Sequence, residues 1–221
     1  FMIVLGISCF YHDSAACLAV DGRIAAAAAE ERFTRVKHDN NFPHHAIDFC
    51  LDWLNLTPKD IDRIVFYEKP VVKFERVMTQ FIDGFPYTYK PFCDTIGSWF
   101  TNKLRISAII KKRIGFSGNV EFIPHHLSHA ASSFYLSGFK DAVIVTFDGV
   151  GEWATTTIGM GNGSKIKIEK EIRFPHSLGL FYSALTAYLG FKVNNDEYKV
   201  MGLAAYGDPG PFKKNFDELL Q

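Results

Sequence analysis

Three of the eight histidines in this 221-residue chain stand within five residues, in the stretch IPHHLSHAAS at 123–132. Set on a helix at 100° per residue, His125, His129 and Ser132 fall on one side. Leu127, Ala130, Ala131 and Phe134 fall on the opposite, inward side, and His126 points elsewhere. An i, i+4 pair has its Cβ atoms about 6 Å apart, so both imidazoles can converge on one ion about 2 Å from each. Nineteen residues after His129, VIVTFDGVGE brings an apolar strand to its end at Asp148, with Gly149 and Gly151 behind it. Strand C-termini are where α/β sheets bind ligands, and glycines there let backbone N–H groups face a phosphate. Together these residues suit a cation held by two imidazoles and a carboxylate beside a phosphate. Each also has a plainer reading: two histidines on a solvated face, and Asp-Gly as ordinary turn chemistry.

A second loop offers proton-transfer chemistry. In FYHDS, His12 or Asp13 could take the proton of a hydroxyl, with Ser14 beside them; Asp13 and Ser14 could equally cap a turn. Arg32, Arg35 and Lys37 follow in EERFTRVKH, suited to an oxyanion or simply to solvent.

The elements that must position these residues repeat. MIVLGIS, AACLAV and RIAAAAAEER read as three strands with an Asp-Gly hairpin at 21–22 between the second and third, and HHAIDFCLDWLNL has helical spacing. RIVFYEK gives a fourth strand, residues 70–118 read as helices broken by DGFPYTYKPF, and NVEFI is a fifth strand. Lys103, Arg105, Lys111, Lys112 and Arg113 make the last of those helices basic, and a solvated face explains them. From 141 onward, strand, glycine loop, strand, GNG hairpin, strand and the helix SLGLFYSALTAYLGF repeat the opening order. The duplication predicts an α/β protein of two lobes, 1–138 complete and 139–221 the start of a second, incomplete one.

Composition sets limits. The 24 basic and 24 acidic residues cancel, so no polyanion partner is expected as a bulk property. No apolar run approaches the roughly 20 residues that cross a bilayer, and FMIVLGISCF lacks the basic flank and cleavage site of a signal peptide. The four cysteines have neither metal nor disulfide spacing, and read as reduced thiols of a cytoplasmic protein.

Four stretches, LGISCFYHDSAACLAVDGRIAAAAAEERFTRVKH, HHLSHAASSFYLSGF, FDGVGEWATTTI and NNDEYKVMGLAAYGDP, resemble the O-carbamoyltransferases. These include nodulation-factor enzymes and antibiotic enzymes such as the tobramycin one; the motifs stand in the same order and cover essentially the whole chain. The resemblance implies an actin-like ATPase fold of two ribonuclease-H-like lobes, akin to the transferase that makes threonylcarbamoyl-adenosine in tRNA. It also implies a C-terminal adenylate-forming domain, absent from this chain together with most of the second lobe. The implied reaction makes carbamoyladenylate from ATP and carbamoyl phosphate and passes the carbamoyl group to the hydroxyl of a small molecule or sugar. By the same resemblance a divalent metal, iron with zinc or manganese as alternatives, is held by His125, His129, Asp148 and a further aspartate not assignable here. His12 stands near the acceptor hydroxyl with Asp13, and Lys37 is the lysine of RVKH. Gly149, Gly151, Lys199 and Gly202 serve the nucleotide and its phosphate, and His126 is structural. Phe10 or Tyr11 stands where the antibiotic enzyme has an acidic residue for its aminoglycoside, which argues against that acceptor. The implied partners are a small-molecule acceptor, the C-terminal domain and a second copy in a homodimer; neither membrane nor nucleic acid is expected. Rival readings are a tRNA-modifying transferase or a sugar kinase of the same fold, a two-histidine, one-carboxylate iron oxygenase, and a non-catalytic nucleotide-binding fragment.

Overall fold

Asp21 and Gly22 both take positive φ (48° and 77°), the two-residue turn whose twist suits a hairpin. It joins β2 (Ala15–Val20) to β3 (Arg23–Ala29) in a computed structural model that describes residues 1–219. The alanine run is a strand despite its helix propensity, because Ala26–Ala29 pair antiparallel with β2 and small side chains fit there beneath a helix. β1 (Ile3–Ser8) pairs antiparallel with β2 on one side and parallel with β4 (Arg63–Phe66) on the other, and β5 (Val120–Phe122) extends the parallel side. The order β3-β2-β1-β4-β5 is the ribonuclease-H-like arrangement, the unit that actin-like ATPases duplicate. The register lines up Leu5, Ile7, Ala16, Leu18, Ile64, Phe66 and Val120 on one face. Ala46, Ile47, Cys50 and Leu51 of α2 (His44–Asp52) close over it, joined by Ile106 and Ile110 of α5 (Ile106–Ile114).

The second sheet is antiparallel, β6 (Asp141–Phe147), β7 (Ala154–Asn162) and β8 (Lys165–Arg173) in that order. Ala130 and Phe134 of α6 (His125–Ser137) pack on it against Ala142, Ile144, Ile166 and Ile168. Gly161 of the GNG hairpin is small for a reason: a Cβ there would lie 2.5 Å from the Phe134 ring. After β8 come α7 (Leu178–Tyr188), α8 (Glu197–Ala204) and α9 (Lys213–Leu219). None of the described helices is long and apolar enough to cross a membrane, and the four cysteines are free thiols, Cys9 and Cys50 buried and Cys93 exposed.

Three details depart from the sequence-based expectation. The third strand ends at Ala29 instead of running on through EER; Glu31–Thr34 form a one-turn helix, α1, ended by Arg35 in the left-handed region. The break after α3 (Pro70–Asp83) is only 84–88, and α4 (Tyr89–Thr101) takes up Pro91 in its first turn, where proline costs no hydrogen bond. The basic stretch is two pieces rather than one helix, with a 3-10 turn at Lys103–Arg105 before α5. Two of its cations are also not simply solvated: Lys103 lies over the Trp99 ring and Arg113 over that of Phe42.

Glu30, buried at the end of β3, holds the lobe's first crossover in place. Its carboxylate accepts from the backbone N–H of His45 (3.2 Å) and Ala46 (2.8 Å) and from His45 Nδ1 (2.7 Å). Pro43, at the cap position of α2, gives no side-chain bond, so this carboxylate supplies both the acceptor and the negative charge that a helix N-terminus favours. Glu30→Ala is expected to cost about 2–3 kcal/mol, the scale of charge-assisted bonds lost from a buried acceptor; urea denaturation checks it.

Candidate metal centre and cleft

The centre is built by the start of α6 and the end of β6. His125 Nε2 lies 2.9 Å from Asp148 Oδ2 and 3.0 Å from His129 Nε2, and His129 Nε2 is 3.9 Å from Asp148 Oδ2. All three donor atoms fall within 4.8 Å of one another. Two ligands of one tetrahedral ion, each about 2.1 Å from it, are about 3.4 Å apart, so the separations are those of a ligand set. The donor chemistry also fits. Burial pushes the Asp148 carboxyl up, but the hydrogen bond and charge of His125, the Gly149 N–H and His129 outweigh it and leave it at about 2, so it is ionised in the neutral range. Burial, then the charge of His125, lowers His129 and keeps its lone pair free of a proton. His125 Nδ1 is buried with no hydrogen-bond partner and looks toward Glu68 Oε2 at 3.7 Å. Two imidazoles and a carboxylate converging in this way can hold a divalent cation.

His126 explains the aim of the pair. The inward line of α6 is His126, Ala130 and Phe134, with Leu127 and Ala131 only half-buried, so His126 belongs to the packed face instead of pointing elsewhere. The Ala154 carbonyl can only accept, so His126 donates from Nε2 (2.9 Å), and its Nδ1 accepts from the Thr146 hydroxyl (2.7 Å). Thr146 in turn lies 2.6 Å from the Thr157 hydroxyl. Burial, opposed by the bond to Ala154, lowers this imidazole and keeps it neutral.

A cleft of about 560 Å³ opens beside the centre. Tyr11, His12, Asp13 and His38 line it from the first lobe, and Asp148, Gly149 and Glu197 are among its residues from the second. Burial and then the charge of Asp148 push the Tyr11 phenol up, so the first loop sits in the field of the centre. Asp13 bonds His12 Nδ1 and His38 Nδ1, both at 2.9 Å, and Lys37 Nζ reaches Asn195 Oδ1 at 3.2 Å. The N–H groups expected to face a phosphate are engaged within their loop: Gly149 donates to the Asp148 carboxylate (2.7 Å), Gly151 to Ala154 O (3.2 Å). Lys199 pairs with Asp196 at 2.9 Å, and Gly202 faces open space on α8; neither lines the cleft.

The family described as Carbamoyltransferase N-terminus matches residues 3–221. The chain belongs to this carbamoyltransferase family. It is 47% identical to the protein sll1178 of Synechocystis sp. over 98% of its own length and 37% of that protein. It is 34% identical to the nodulation protein NolNO of Sinorhizobium fredii over 96% of its length and 30% of that protein. The chain thus spans about a third of the curated relatives it matches. Among solved structures, YeaZ from Pseudomonas aeruginosa is similar at 10% identity and a TM-score of 0.44, over 79% of this chain and 68% of that one.

Several residues around this centre escaped the sequence reading. Glu68, buried behind His125 and bonded to Lys73 Nζ at 2.6 Å, follows β4 as Asp148 follows β6, so the strand-end rule already pointed to it. Glu152 accepts from Lys69 N–H at 2.6 Å across the two lobes, and burial raises its carboxyl. Gly179 lets α7 approach: a Cβ there would lie 2.5 Å from Asp148 O. Ser177 caps that helix through Leu180 N (3.0 Å) while donating to Gly149 O (2.6 Å). No local pattern carried the contacts of Glu152 and Gly179, or that of Ser177 with Gly149.

Gly151 underlies His125, and a Cβ there would stand 2.7 Å from the imidazole. Gly151→Ala is expected to push the ring off Asp148 and destabilise by about 1–3 kcal/mol, the usual cost of overpacking. Gly149→Ala, whose Cβ meets only Leu180 at 3.6 Å, should be near neutral. Denaturant melts of the two variants side by side make the comparison.

Proposed function

We propose that this chain forms the acceptor-side part of an O-carbamoyltransferase that uses carbamoyladenylate, made from ATP and carbamoyl phosphate, to carbamoylate a hydroxyl of a small molecule or sugar. The observation that carries the reading is the convergence of His125 and His129 on Asp148, which lines the same cleft as His12. Family membership supports carbamoyl transfer in general.

In this reading His125, His129 and Asp148 hold a divalent cation, iron with zinc or manganese as alternatives. When bound, that cation offsets phosphate charge and makes AMP a better leaving group. The remaining work falls to the chain itself. His12 Nε2 takes the proton as the acceptor oxygen attacks the carbamoyl carbon; the bond from that carbon to the phosphate oxygen breaks, and AMP departs with the electron pair. Asp13 keeps the His12 proton on Nδ1, on the side away from the acceptor. Tyr11 and Phe147, both on the cleft wall, give the acceptor an aromatic surface, in keeping with a less cationic acceptor than an aminoglycoside.

Two measurements test this. Metal-free chain titrated with Co²⁺ should develop the visible spectrum of an imidazole-ligated ion, and His129→Ala should weaken binding by about 10-fold or more, since one ligand of a small set is gone; equal binding by both proteins rejects the site. In the full-length gene product, His12→Asn should leave carbamoyladenylate formation from ATP and carbamoyl phosphate nearly intact. Transfer to the acceptor should fall about 10²-fold, the usual size of a lost general base. If both half-reactions stay near wild type, His12 only shapes its turn.

A further inference from the structure

Three non-glycine residues with left-handed backbone line the cleft, Asp13 (φ 49°), His38 (57°) and Asn194 (61°), and two more, Phe10 (67°) and Arg35 (58°), stand three residues before the first two. Side chains disfavour this region, and such residues concentrate where geometry is held for function. Here the hold is visible. Loop 10–14 is laced to loop 37–40 by Phe10 N–H to Asn40 O (2.9 Å) and Ser14 N–H to Asp39 O (2.8 Å), while His38 N–H donates to Glu31 Oε2 (3.2 Å). The lacing presents both oxygens of one carboxylate to two imidazoles: Asp13 Oδ2 to His12 Nδ1 and Oδ1 to His38 Nδ1, each at 2.9 Å.

An ionised carboxylate only accepts, so both Nδ1 atoms carry protons. The far side of His38 is fixed as well. Its Nε2 faces Asn195 Oδ1 at 3.3 Å. Asn195 cannot be turned round, because its Nδ2 donates to Asp196 Oδ1 (2.6 Å) and its Oδ1 accepts from Lys37 Nζ (3.2 Å). His38 therefore donates from both nitrogens, one toward each lobe. A carboxylate next to His12 in the chain, half exposed and held by a single bond, would rotate freely; the second imidazole removes that freedom.

We propose that His38 is a positioning residue for His12: acting through Asp13 it fixes His12 with a proton on Nδ1 and a free Nε2, and through Asn195 it makes that state depend on contact with the second lobe. The inference rests on the reading of His12 as the proton acceptor. It gives Asp13 the part of an orienting carboxylate, and gives Asn195 a reason to sit at the α7–α8 loop: it closes the base when the lobes meet. Neutral imidazole in water prefers the proton on Nε2, the wrong form for a base pointing Nε2 into the cleft, so the lock has something to do.

Histidine-selective ¹⁵N NMR of the 221-residue chain tests the lock without any enzyme assay. In the wild type, His12 should show a protonated Nδ1 and a bare Nε2, with both His38 nitrogens protonated. His38→Phe should move His12 toward the Nε2-protonated form, and His38→Gln, whose amide can still donate to Asp13, should restore it. An Nε2-protonated His12 in the wild type, or a His12 signal unchanged in His38→Phe, overturns the proposal. Should the Phe variant not fold, Asn195→Ala is read in its place and must show the same drift. In the full-length gene product, His38→Phe should lower kcat for transfer roughly 10- to 100-fold, the range typical of outer-shell partners. The acceptor KM and the rate of carbamoyladenylate formation should hold, and a change in KM alone counts against the proposal. A tautomer change with no carbamoyl transfer by the wild-type enzyme would uphold the lock and reject the carbamoyl reading. Transfer with an unchanged tautomer would do the reverse.

Discussion

A buried imidazole that binds nothing holds the cleft together. His126 donates to the Ala154 carbonyl and accepts from Thr146, so the first turn of α6 is fixed to β6 and β7 at one angle. Two residues on, Ser128 Oγ donates to Tyr67 O at 2.7 Å, which ties the same helix to the end of β4 in the first lobe. α6 is thus bonded to both lobes within four residues, and His125 and His129 take their directions from it. A neutral histidine suits this place, because it offers one donor and one acceptor and burial keeps a second proton off. Leucine would pack at His126 but leave the Thr146 hydroxyl with Thr157 alone and the Ala154 carbonyl with only the Gly151 N–H, a loss of two buried hydrogen bonds.

The sequence carried the strands well and the helix faces less well. Alternation and the Asp-Gly turn located β1 to β3, including the alanine strand, because a hairpin turn with two positive-φ residues leaves its flanks no other pairing. The duplicated order was readable for the same reason. The face of α6 was not, since periodicity counts apolar residues and the central inward residue is a histidine. Glu30 and Ser177 were also missed: Glu30 caps a helix 15 and 16 residues along the chain, and Ser177 adds to its cap on Leu180 a bond to a carbonyl 28 residues away. The grouping of His125, His129 and Asp148 was legible because both of its parts are local, a helical i, i+4 spacing and a strand end; only their convergence needed the fold.

The two sheets use the same strand order to different ends. β1 lies in the middle of its sheet, flanked by β2 and β4, so its polar C-terminal loop is held from both sides. β6, its counterpart, has β7 alone as a neighbour among the described residues, and Val143, Val145 and Phe147 leave much of their side chains exposed, as do Ile158 and Met160 of β7. The loop after β6 is therefore braced differently, by α7 against Asp148 and Gly149 and by the His125 ring over Gly151. Close backbone approach does there what a central strand does in the first lobe.

Charge placement follows from these contacts. Asp148 is ionised because its hydrogen bonds outweigh its burial, and Glu152, four residues away in sequence, is pushed the opposite way because burial dominates. Behind them Glu68 is neutralised by Lys73, whose ammonium also lies 4.6 Å from the centre of the Tyr11 ring. One ionised carboxylate on the cleft side, and a closed ion pair on the core side, puts the negative charge of Asp148 where a cation would arrive. Were Lys73 absent, Glu68 would be an unpaired buried charge pulling His125 away from the cleft through the 3.7 Å gap to Nδ1. The buried pair keeps the imidazole turned outward, so the polarity of the centre is decided in the core beneath it.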